Sequence, residues 1–79
     1  MSKEEKASRR EIGKDRGVKL QGIALSDTNT FSERMRAIDL LGELGDTAFD
    51  ELSDIASKGL TYSERMNALD MLEKIIKRT

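Results

Sequence analysis

Residues 31–44, FSERMRAIDLLGEL, return 31 positions later as residues 62–75, YSERMNALDMLEKI. Seven of the fourteen positions are identical, and Phe31/Tyr62, Ile38/Leu69, Leu40/Met71 and Leu44/Ile75 keep an apolar character. Self-similarity at a fixed period marks stacked structural repeats, each too small to bury its own apolar face. Thr30 with Glu33, and Thr61 with Glu64, have the spacing of a capping box, in which hydroxyl and carboxylate satisfy the free N–H groups of a first helical turn. Behind each cap the apolar residues recur at helical spacing: Phe31, Met35, Ile38, Leu41 and Leu44, then Tyr62, Met66, Leu69, Leu72 and Ile75. The pattern predicts amphipathic helices over 31–44 and 62–77.

Between these two, Gly45 is placed to adopt a positive φ and stop the first helix. Thr47 with Asp50 has the spacing of another capping box, and Phe49, Leu52, Ile55 and Ala56 form a further apolar stripe. A short helix over 47–58, turning back on its predecessor and ended by Gly59, is expected. Leu20, Ile23 and Ala24 repeat the Leu52, Ile55, Ala56 spacing with a shift of 32, which predicts an earlier helix over 16–26 and a loop over 27–30. Upstream, Ser2 and Glu5 are spaced to start a helix that Gly13 would end. Residues 1–15 therefore read as a basic N-terminal arm and 16–79 as the repeat domain. The fold class expected is all-α, with four or five short helices in antiparallel hairpins forming a right-handed array. A compact helical bundle is the alternative.

Composition narrows the function. The 79 residues contain no Cys and no His, so disulfides, thiolate nucleophiles and the usual nitrogen ligands for metals are absent. The serines have no imidazole partner, and the glycines form no phosphate-binding loop. An enzyme is not expected, nor a cofactor. The opening residues Met1 to Lys6 carry mixed charge with no apolar run behind them, unlike a secretory signal, and no apolar stretch approaches the roughly 20 residues of a membrane span. Cytoplasm is the expected location.

The net charge of −1 is unevenly spread: residues 1–19 carry +3, residues 20–60 carry −5 and residues 61–79 carry +1. Only the N-terminal arm would attract a phosphate backbone. Within it Lys3, Lys6, Arg10 and Lys14 share one helical face, a candidate phosphate-binding row, although Glu4, Glu5, Glu11 and Asp15 interrupt the positive charge. Asp50, Glu51 and Asp54 form the candidate protein-binding surface, an acidic face suited to a basic partner. No loop of alternating oxygen ligands accompanies them, so a divalent-ion site is disfavoured.

The pattern Arg34-x-x-Ala37-x-x-x-Leu41-Gly42-x-Leu44-Gly45-Asp46 resembles the signature of HEAT-like repeats of the phycobilisome-lyase type. The second copy matches through Arg65, Ala68 and Leu72, then departs, with Glu73 where the glycine would stand and no Gly-Asp turn after Ile75. The resemblance implies a right-handed stack of helix hairpins acting as a protein-binding scaffold, and the departure fits a terminal repeat. It carries no activity over to this chain.

Elementary physics assigns the matched residues structural work. Ala37 and Ala68 let helices approach, Gly42 permits a close crossing, Gly45 makes the turn, and Leu41 and Leu72 belong to the core. Arg34 and Arg65 stand near helix N-termini, where the dipole disfavours cations, so each calls for a carboxylate; Asp39, Asp70 or a contact between repeats could supply it. The function expected is a small non-enzymatic protein-interaction or adaptor module. The alternatives are a nucleic-acid-associated protein, or a homo-oligomer such as a homodimer, in which two chains cap one another through Ile75 and Ile76.

Overall fold

Among the described residues four α-helices follow one another along the chain: α1 (Lys3–Leu25), α2 (Phe31–Leu44), α3 (Phe49–Lys58) and α4 (Tyr62–Arg78), with a 3-10 turn over Gly45–Ala48 joining α2 to α3. The structure is a computed structural model that describes the backbone of residues 3–78 and the side chains of residues 12–78. Ser2, the expected cap of the first helix, lies outside the described residues, as does the side chain of Glu5. Among the described residues there is no strand, and the fold is an all-α compact helical bundle.

The first helix differs from expectation. Gly13 does not end it: α1 runs unbroken for 23 residues, so the arm and the first repeat helix are one rod. Gly13 and Gly17 lie where α1 passes over its neighbour; a Cβ on Gly13 would come within 3.1 Å of Thr47 Cγ2, and one on Gly17 within 3.6 Å of the Glu51 carboxyl carbon. Packing of α1 against the 3-10 turn and α3 offsets the propensity lost at the glycines, as tertiary context commonly does.

The α2 cap forms as expected. The Thr30 hydroxyl accepts from Glu33 N–H at 3.2 Å while Glu33 Oε1 accepts from Thr30 N–H at 2.8 Å. Gly45 ends the helix at φ 63°, its N–H bonded to the Gly42 carbonyl. The expected Thr47–Asp50 capping box does not form. Thr47 sits inside the 3-10 turn, α3 starts at Phe49 without a side-chain cap, and the Phe49 N–H bonds instead to the Asp46 carbonyl. A 3-10 turn feeding directly into a helix satisfies the first donors with the backbone alone.

The hairpins also differ in pairing. The short helix does not fold back mainly on α2; α3 packs most extensively on α4, and α1 on α2. The two hairpins are then stacked, α1 beside α3 and α2 beside α4. Gly13 meets Thr47, Gly17 meets Glu51 and Gln21 bonds Asp54, so residue numbers rise together and α1 and α3 run parallel. Ala24, Ala37, Ile38, Leu41, Ala48, Leu52, Ile55, Ala68, Leu72 and Ile75 form the core, and Leu41 is fully buried. No helix among the described residues is long and apolar enough to cross a membrane.

Candidate protein-docking site

The structure separates the acidic residues expected to form one binding face. Asp50 is exposed, but Glu51 is only 6% exposed beneath α1, with Oε2 lacking a hydrogen-bond partner. Asp54 is exposed and accepts from Gln21 Nε2 at 2.7 Å. The unbroken α1 lies across this side of α3, so a continuous acidic Asp50–Glu51–Asp54 surface does not exist. Nothing in the α3 sequence signals this, because the covering helix is distant in the chain.

Of the candidate phosphate-binding row, Lys14 is exposed on α1. The side chains of Lys3, Lys6 and Arg10 lie outside the described ones. Among the described residues no group of His, Cys, Asp or Glu side chains is arranged to hold a metal ion.

The arginines behave differently from each other. Arg34 Nε donates to Glu64 Oε1 at 2.5 Å, and Arg34 Nη1 to the Asn29 carbonyl at 2.5 Å. Its carboxylate partner therefore comes from the next repeat, and Asp39 is not that partner but an acceptor for Asn67 at 3.0 Å. Burial of the Glu64 carboxyl favours its neutral form, but hydrogen bonds from Arg34 and the Thr61 hydroxyl, and the guanidinium charge, outweigh it and hold the pKa below the ordinary glutamate value. Glu33, exposed, has its pKa lowered by the Thr30 backbone N–H and hydroxyl. Arg65 Nη1 donates to the Gly59 carbonyl at 2.8 Å, and no carboxylate salt bridge to it is found among the described residues.

An open apolar surface lies between α1 and α2, at residues that no motif singled out for binding. Two adjoining hollows of about 420 and 500 Å³ share Leu20 and Leu40 in their walls. Ile23, Ala37 and Leu44 extend the apolar floor, while Arg16 and Lys19 on α1 and Glu33, Arg36 and Glu43 on α2 supply a rim of both signs. The floor is open to solvent at Ile23, 41% exposed, and Leu40, 37% exposed, while Leu20 and Leu44 are partly covered and Ala37 is buried.

A second apolar strip lies on α4. Tyr62, Met66 and Leu69 of the predicted apolar stripe are exposed, as is Phe31 of the first copy, whereas Glu64, Ala68, Leu72 and Ile75 are buried. Ile75 is thus core, and of the Ile75–Ile76 pair only Ile76 is exposed.

An apolar channel with a rim of both charge signs can seat a helix of opposite pattern. Compared with protein-family models, curated proteins and solved structures, the chain matches none of them significantly.

Proposed function

We propose that the chain is a non-enzymatic protein-docking module whose α1/α2 groove receives an amphipathic helix of a partner protein. The carrying observation is the open channel floored by Leu20, Ile23 and Leu40 and edged by charges of both signs. Helix-in-groove recognition uses this combination: apolar anchors at i, i+3, i+4 and i+7 enter the channel and rim charges fix their direction. The internal repeat and the stacking of α1 on α3 and α2 on α4 support a HEAT-like array as its scaffold.

Selection of helical peptides against the wild type, followed by measurement of the enriched peptides on Leu40→Glu, tests this. Amphipathic helices should be enriched, and their binding should shift the amide resonances of residues 20–23 and 37–44. Enriched peptides that bind Leu40→Glu equally well would refute the groove.

A phosphate-binding role for α1 is the second reading. It is supported by the unbroken helix, which holds positions 3, 6, 10 and 14 in one helical register. Binding of a DNA duplex should then weaken steeply as salt rises; salt-independent or absent binding would remove it.

A further inference from the structure

The interior junction between α2 and α4 can be compared, position by position, with the two surfaces the bundle leaves open. Inside the chain, α2 presents Arg34, Met35, Ile38 and Asp39 toward the second hairpin, and α4 answers with Glu64, Asn67, Ala68 and Met71. Arg34 pairs with Glu64, Asn67 Nδ2 reaches Met35 Sδ at 3.9 Å and Asp39 at 3.0 Å, and Gly42 lies against Met71, whose Cγ would be 2.9 Å from an added Cβ.

A shift of 31 residues converts the first set into Arg65, Met66, Leu69 and Asp70. Those residues form the outer side of α4. Ile38 is fully buried, and its equivalent Leu69 is 46% exposed. The same shift in reverse converts the second set into Glu33, Arg36, Ala37 and Leu40, and all four line the groove on the outer side of α2. The bundle thus carries one half of its own internal junction at one end and the other half at the opposite end.

Resting on the docking reading above, we infer that the groove's occupant is α4 of a second copy of this chain, joined head to tail by a repeat of the α2/α4 junction. Charge complementarity singles out this occupant. Arg65 would meet the second copy's Glu33 as Arg34 meets Glu64, and Asp70 would meet its Arg36 where Asp39 meets Asn67, so the neutral partner inside the chain becomes a cation between chains. Leu69 enters the channel between Ala37 and Leu40.

A second position departs. Glu73 replaces Gly42 and pairs with Lys77 at 2.7 Å, so this end of the copied junction stays wider than the internal one. Association between copies is therefore weaker than the packing within one chain and depends on concentration. A contact of two different surfaces leaves both ends unsatisfied after each addition, which gives open assemblies or rings and not a closed symmetric pair.

Sedimentation of the full chain across a wide concentration range, alone and as Leu40→Glu and Leu69→Glu, tests the inference. Both positions are exposed, so the variants should keep wild-type helicity by circular dichroism. The wild type should grow in mass with concentration, each variant should stay monomeric, and their equimolar mixture should stop at a one-to-one dimer, because one retains the groove and the other retains α4. A monomeric wild type, assembly by either variant alone, or a mixture that stays monomeric while the wild type assembles would overturn it. Helical peptides that still select for the groove would then show that only the identity of the occupant was wrong.

Discussion

Glu33 and Glu64 occupy one repeat position and live in different surroundings. Glu33 closes a capping box in water, whereas Glu64 is buried and takes both the Arg34 guanidinium and the Thr61 hydroxyl. Removing one member of a buried pair strands the other, so Arg34→Ala should lower unfolding free energy by about 3–5 kcal/mol in urea titration. The pH dependence follows from the lowered pKa of Glu64. In the unfolded chain this carboxyl titrates at the ordinary value, so between the two pKa values the unfolded state binds more protons and stability rises with pH. Its contribution should be complete above the ordinary glutamate value and vanish as pH falls through the folded-state pKa. Glu64→Gln should flatten the stability profile in that acid window; an unchanged profile would assign the effect to other carboxylates. Sequence spacing shows that Arg34 needs a carboxylate, but the partner 30 residues away is invisible to any local rule.

At the level of elements, α2 and α4 are legible because caps, periodicity and the internal repeat agree. What the pattern misjudges is which side of α4 is buried: Met66 and Leu69 copy Met35 and Ile38, which are covered where α4 packs on α2, whereas Tyr62 is exposed as its counterpart Phe31 is. The glycines of α1 mislead in the opposite way. Gly13 reads as a stop, yet it serves as a close contact to Thr47 within a continuous helix. Gly22 has no such reason, since nothing stands within 4 Å of an added Cβ. Gly22→Ala should therefore stabilise the fold by about 1 kcal/mol, from helix propensity alone. Gly42→Ala should do the reverse, because Met71 must move; overpacking of this kind costs about 1–3 kcal/mol. Leu41→Ala, at a fully buried position, should cost about 2–5 kcal/mol by thermal or urea unfolding. A negligible loss there would contradict the packing of α2 against the core.

The whole molecule measures 42 × 29 × 17 Å, a thin slab two helix layers deep whose apolar residues do not all find cover. Open faces at both ends are the expected consequence of stacking two similar hairpins, since each hairpin has one side for its predecessor and one for its successor. Sequence repetition reveals that such sides exist, but only three-dimensional placement shows that the α1/α2 groove and the outer side of α4 are complementary halves, or that α1 conceals the acidic side of α3. The most direct measurement of that complementarity is the sedimentation mass of two charge-reversed chains, Arg36→Asp and Asp70→Arg, alone and mixed. Each variant alone should lose assembly, because like charges then face each other at every junction. The mixture should recover it by alternation: the groove of the Arg36→Asp chain receives the reversed α4 of the Asp70→Arg chain, and the unchanged groove of the latter receives the unchanged α4 of the former. Undiminished assembly by either variant alone, or a mixture no heavier than its components beside an assembling wild type, would contradict the account.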